Sequence, residues 1–232
     1  ARGTTDDKGP TMAAWFAMRA IQAIKPDLSS RLRMAFGCNE ESGFGCVERY
    51  VQTEEAPTFG VAPDSGWPCY NAEKGIANLE LSVRVPGGEF RLLEFVGGSR
   101  ANIVIDRIDF AVEAEGAALD LLKSAVADNW DKNLVVTVEG TKVRGVAHGK
   151  AAHGSTPFMG DSAATRAVRF LLAACPLDQK EFYENLLMAT HPSGVGLGIH
   201  GRDDVAGDLT ANVGICSLAG DKLDILVNVR YP

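Results

Sequence analysis

Gly37-Cys38-Asn39-Glu40-Glu41-Ser42-Gly43 sets two adjacent glutamates between glycines, directly after a stretch, Arg31 to Phe36, in which charged and apolar residues alternate. That alternation predicts a strand with Leu32, Met34 and Phe36 on one face, ending at Gly37. The acidic pair then lies beyond the C-terminal end of a strand, where open α/β sheets collect their ligands. Two neighbouring carboxylates repel, so a fold that places both in a pocket sets a cation beside them. One carboxylate can hold a metal while the other takes a proton from water. Taken alone, a Glu-Glu pair is ordinary surface-turn composition, and its meaning depends on what flanks it.

Upstream, Arg2 to Pro10 reads as a glycine-containing loop bearing Asp6 and Asp7, with Pro10 at a position where a helix can begin. Thr11 to Ile24 is apolar nearly all round and predicts a well-buried helix stopped before Pro26. Downstream, Cys46 to Glu54 predicts a short helix and Thr58 to Ala62 a short strand, running into the loop Pro63-Asp64-Ser65-Gly66. Helices alternating with strands, and acidic residues confined to the loops, are the pattern of an α/β unit with parallel strands and a site along one edge. Each acid also has a plainer reading: Asp6 or Asp7 as a helix cap, Asp64 as turn chemistry.

After about Gly75 the pattern changes. Ile76 to Val85 and Glu89 to Val96 read as a hairpin around Pro86-Gly87-Gly88, and Ile103 to Glu113 as a strand. Ala117 to Trp130 follows as a helix, and Leu134 to Val146 as a hairpin turning at Gly140. Asp161 to Ala174, with Asp161 as N-cap, and Gln179 to Thr190 read as helices; Leu209 to Ser217 and Lys222 to Arg230 pair around Ala219-Gly220-Asp221. The expected organisation is therefore an α/β unit over residues 1–75 and an α+β unit with an antiparallel sheet over 76–232.

A chain of 232 residues that is 46% hydrophobic can bury a core, and a net charge of −7 argues against nucleic acid or an anionic membrane as partner. Five cysteines, an odd count without a CxxC pair, read as reduced thiols in a cytoplasmic protein. There is no apolar run of about 18 residues that would span a bilayer. The chain opens without a methionine on a dense, functional-looking string, which reads as a central piece of a longer protein.

The strings GTTDDKGP (3–10), GCNEESGFG (37–45), VAPDSGWP (61–68), HGKAAHGSTP (148–157) and VNVRYP (227–232) occur in this order along essentially the whole chain. Together they resemble the dinuclear zinc exopeptidases of the aminoacylase and carboxypeptidase G family, most closely the PepV-type dipeptidase branch. The resemblance implies a catalytic-domain piece followed by a lid, two zinc ions (with manganese or cobalt as substitutes), and a dipeptide or N-acyl amino acid as substrate. It implies that Asp6 bridges the ions, that Glu41 and Asp64 each ligate one of them, and that Glu40 is the general base. In the lid, His153 would donate to the oxyanion, Asn102 would hold the substrate, and Arg230 would clamp its C-terminal carboxylate. The family's two histidine ligands stand in sequence contexts that none of His148, His153, His191 or His200 shares. The chain by itself is therefore expected to bind zinc weakly and to hydrolyse nothing detectable. The alternatives are a related amide hydrolase (desuccinylase, aminoacylase or carboxypeptidase), or a non-catalytic module that forms homodimers through the lid.

Overall fold

The computed structural model describes residues 3–40, 43–66, 68, 70 and 72–232, and the chain divides into two compact units, Ala1–Asn71 and Ala72–Pro232. In the first, Thr4–Lys8 forms a wide π-type turn, closed by the Lys8 N–H donating to the Gly3 carbonyl at 2.9 Å. Helix α1 (Gly9–Ile24) continues from it with Pro10 in its first turn, and α2 is Gly45–Thr53. A Cβ on Gly9 would lie 2.7 Å from the Thr4 carbonyl oxygen, so the join between wide turn and helix requires glycine.

Two expectations for this unit are corrected. Residues 31–36 and 58–62 are not strands, because no described residue offers them a backbone ladder and an extended segment becomes a strand only through its partner. Helix α1 forms, but none of its residues is buried: Trp15 and Phe16 are exposed, since no described element packs over its apolar surface.

The second unit is built on a seven-stranded sheet in the order β1-β9-β8-β2-β3-β5-β4, with every neighbouring pair antiparallel. The strands are β1 (Gly75–Arg84), β2 (Phe90–Gly97), β3 (Arg107–Ala114), β4 (Leu134–Glu139), β5 (Lys142–His148), β8 (Thr210–Ala219) and β9 (Lys222–Tyr231). A two-stranded ribbon, β6 (Arg202–Asp203) with β7 (Gly207–Asp208), stands apart. The β4–β5 and β8–β9 hairpins turn where the sequence places them.

The expected β1–β2 hairpin does not form. Strand β2 has β3 on one edge and β8 on the other, so it has no edge left for β1, which lies against β9. Gln179, buried, donates from Nε2 to the Gly87 carbonyl at 3.1 Å and to the Phe90 carbonyl at 3.0 Å, drawing the connection away from a tight turn.

Helices α3 (Gly116–Ala127) and α4 (Ala163–Ala174) pack on the sheet at β3 and β5, and α5 (Lys180–Ala189) packs on α4. Between the layers lie Phe90, Phe95, Ile108, Phe110, Val112, Leu122, Val143, Val168, Leu171 and Leu223, all essentially without solvent contact. Burying such side chains contributes about 1.5–3 kcal/mol each. The cap of α4 is Ser162 and not Asp161: its Oγ accepts the Thr165 N–H at 3.3 Å, while Asp161 is taken up by Arg166. No helix among the described residues is long and apolar enough to cross a membrane.

Candidate active site

The acidic residues of the first unit sit on turns. Asp6 and Asp7 occupy the wide turn that leads into α1, and unusual i to i+5 turns of this kind are common at functional positions. Asp7 Oδ2 accepts the Thr11 hydroxyl at 3.2 Å, whereas its Oδ1 is buried without a hydrogen-bond partner among the described residues. Glu40 is exposed just before α2, and Asp64 is exposed in its Pro63–Gly66 loop; each is engaged by a neighbour. Phe44, which follows the acidic pair, is the one non-glycine among the described residues in the left-handed region, at φ 63°. Its N–H donates to the Asn39 carbonyl at 3.1 Å and closes the loop that carries Glu40. A bulky residue held there costs of order 1–3 kcal/mol, and such outliers cluster at functional loops.

Glu41 and the side chain of Asp6 lie outside the described residues. Among the described residues no group of three or more His, Cys, Asp or Glu side chains is gathered as a metal would need. The donor chemistry of Asp6, Glu41 and Asp64, all carboxylate oxygens, suits hard or borderline dications in kind. The Oδ1 of Asp7, next in sequence to Asp6, is a buried acceptor for which the described residues supply no donor.

The second unit brings Asn102, His153 and Arg230 to one end of its sheet. The connection between β2 and β3 passes over Gly214, where the β8–β9 register slips by one residue. A Cβ on Gly214 would lie 2.3 Å from the Ala101 carbonyl oxygen, so only glycine lets the connection come this close. Asn212, buried on β8, then donates from Nδ2 to the Ala101 carbonyl at 2.7 Å and the Ile103 carbonyl at 3.0 Å, gripping the chain on both sides of Asn102. The Asn102 carbonyl in turn accepts the Gly154 N–H at 2.7 Å, and Ile103 bridges His153, so the Asn102 and His153 segments run side by side.

The His153 loop is closed at its base by two backbone bonds between Lys150 and Asp161, at 2.8 and 2.9 Å. Arg166 of α4 clasps that base, donating from Nε to the His148 carbonyl at 2.8 Å and pairing with Asp131 and Asp161. Within the loop the Ser155 backbone N–H donates to His153 Nδ1 at 3.2 Å, with Ser155 Oγ 2.7 Å from the same nitrogen. A ring nitrogen that accepts carries no proton, so the neutral imidazole holds its hydrogen on Nε2 and presents it as a donor from an exposed side chain.

Arg230 is half-buried near the end of β9. Its Nε donates to Asn228 Oδ1 at 3.1 Å, and its two terminal nitrogens make no hydrogen bond or ion pair among the described residues. Across the ladder lies Thr210, whose hydroxyl donates to the Ser155 carbonyl at 3.4 Å and so ties this strand end to the His153 loop. The arrangement offers an imidazole N–H and an open guanidinium fork from one sheet end, with the Asn102 amide on the adjoining loop. These are donors suited to a carbonyl oxygen that gains charge and to a carboxylate. Sequence reasoning missed Asn212 and Asn228. Their signal is a lone amide inside an apolar strand run, Leu-Thr-Ala-Asn-Val in one case and Leu-Val-Asn-Val in the other.

The family model of peptidase family M20/M25/M40 matches residues 1–175, across the acidic loops, the Asn102 connection and the His153 loop. The chain belongs to this family. Within it, a protein named "Putative dipeptidase" from Staphylococcus epidermidis is 33% identical over 246 residues, covering 100% of this chain and 52% of its own length. Another protein of that name, from Staphylococcus aureus strain MRSA252, is 33% identical over 244 residues with the same coverage. The chain thus spans about half the length of these M20/M25/M40 relatives.

Proposed function

We propose that the whole protein is a metal-dependent dipeptidase of the cytoplasm, and that this chain supplies its general base, part of its metal site and its substrate-holding donors. The observation that carries the reading is the set of uncommitted donors on the second unit: the His153 Nε2–H, the Asn102 amide and the Arg230 fork, all tied to one end of the sheet. Such a set fits a short peptide with a free C-terminus.

Asp6, Glu41 and Asp64 would hold two dications, zinc in the first instance, with imidazoles supplied from outside this chain. Bound there, the ions supply Lewis-acid polarisation and make a water acidic. Glu40 takes the proton of the attacking water and returns it to the leaving amine, a task that needs a carboxylate with a free lone pair. His153 donates from Nε2 as the carbonyl oxygen becomes an oxyanion, without a change of tautomer. Arg230 receives the terminal carboxylate end-on, and Asn102 fixes the orientation of the peptide. Because the histidine ligands belong elsewhere in the protein, the chain alone is inactive.

The test is hydrolysis of dipeptides by the full-length protein and its Glu40→Gln variant, with bound metal measured in both. General-base catalysis contributes about 10²–10⁴-fold, so a loss of kcat in that range at unchanged metal content is expected. Unchanged turnover in the variant, or an inert full-length protein with its metal intact, overturns the proposal.

A further inference from the structure

We propose that Asn228, supported by Asn78, is a positioning residue that sets the direction in which Arg230 presents its guanidinium; this rests on the dipeptidase reading above. The two asparagines face each other across the β1–β9 ladder, and Asn212 of β8 faces Asn228 from the other side. Directly opposed residues of a sheet point to the same face, so the row Asn78, Asn228, Asn212 lies on the face that carries Arg230 and Thr210, two residues along.

Asn228 is 3% exposed, on the face of β9 opposite the buried Leu223, Ile225, Val227 and Val229. An amide there must satisfy its polar atoms or cost about 1–3 kcal/mol for each one left unmet. Its Nδ2 donates to Asn78 Oδ1 at 2.8 Å, and its Oδ1 accepts the Arg230 Nε–H at 3.1 Å. Arg230 has no acceptor atom, so Oδ1 must face it, and the bond to Asn78 Oδ1 then holds Nδ2 on the opposite side. The amide has one orientation in which both contacts are made.

The consequence falls on how Arg230 can bind. A guanidinium grips a carboxylate either side-on, through Nε and one terminal nitrogen, or end-on, through both terminal nitrogens. With Nε committed to Asn228, only the end-on fork is open, and its plane is fixed by the buried amide. Asn228 thereby selects substrates with a free terminal carboxylate in one direction of approach without touching them.

The experiment compares kcat/KM for a dipeptide with that for its C-terminal amide, using the full-length protein and its Asn228→Ala and Asn78→Ala variants. Loss of aim lowers the preference for the free carboxylate, at least fivefold for Asn228→Ala and about twofold or more for Asn78→Ala. A merely structural role lowers both substrates together and leaves their ratio unchanged, which overturns the proposal. Asn78 is exposed, so its variant keeps the test alive if Asn228→Ala does not fold. In that variant the Arg230 Nε–H, followed by nitrogen-15 NMR, is expected to exchange faster with solvent; unchanged exchange counts against the inference. An active wild type with an unaltered ratio in the variants refutes the positioning role alone. An inert wild type refutes the dipeptidase reading and this inference with it.

Discussion

Replacing Arg166 with Met removes the clasp at the base of the His153 loop while keeping a stem of similar length against α4. The guanidinium side chain is 16% exposed, and its Nε bond to the His148 carbonyl is 2.8 Å long. A hydrogen bond from a charged donor in that setting contributes about 1.5 kcal/mol. Its ion pairs reach Asp131 and Asp161, whose side chains are 29% and 49% exposed, so solvent screens both and each contributes about 0.5–1 kcal/mol. The expected loss is about 3 kcal/mol, which for a unit of this size lowers Tm by about 6–12 °C. Thermal unfolding followed by circular dichroism measures it on the chain as it stands. Hydrogen exchange adds a local readout, since the Lys150 and Asp161 amides that close the loop should lose protection ahead of the strand amides of β8 and β9. A Tm within about 2 °C of wild type, with both amides still protected, would refute the idea that Arg166 holds the loop in place.

Two further outcomes follow from buried groups in the core. Tyr183 is fully buried, its ring edge-on to Phe90 and Phe182, and its hydroxyl has no partner among the described residues. Tyr183→Phe keeps both ring contacts and should raise stability by about 1 kcal/mol in denaturant titration; a loss of that size would mean the hydroxyl is hydrogen-bonded. Burial pushes the Cys216 thiol up to about 12 and raises that of Cys175, whereas Cys38 is exposed. Iodoacetamide near neutral pH should therefore label Cys38 at least about tenfold faster than either, as peptide mapping would resolve, and equal rates would contradict the burial.

Local features of the fold were legible. The β8–β9 hairpin is written in Ala219-Gly220-Asp221, the β4–β5 turn in Gly140, and the helices in their apolar runs. What was not legible is pairing at a distance. Pro86-Gly87-Gly88 looks like a turn, yet β1 and β2 are separated by a hairpin formed more than a hundred residues later. Alternation at Arg31 to Phe36 announces a segment able to pair, and only a partner makes it a strand. The site divides in the same way. Asn102, His153 and Arg230 stand in contiguous strings that can be read, but the residues that hold them act across the sequence. Asn212 reaches back 111 residues to the Ala101 carbonyl, and Asn228 reaches 150 to Asn78. Neither distance leaves a trace in local spacing. The closed loop after Asn39 depends on Phe44 adopting a conformation that its residue type disfavours, which no propensity would suggest.

The pairing of Gly75 with Tyr231, at the far rung of the β1–β9 ladder, sets the start of the second unit's first strand beside the end of its last, at one doorway. A body whose two stems stand side by side can be spliced into a loop of another polypeptide without prying that host apart. It can be excised at the same place and the gap closed by a few residues. Arg230 lies one rung in from that doorway, opposite Ile76, so a splice made there adjoins its guanidinium.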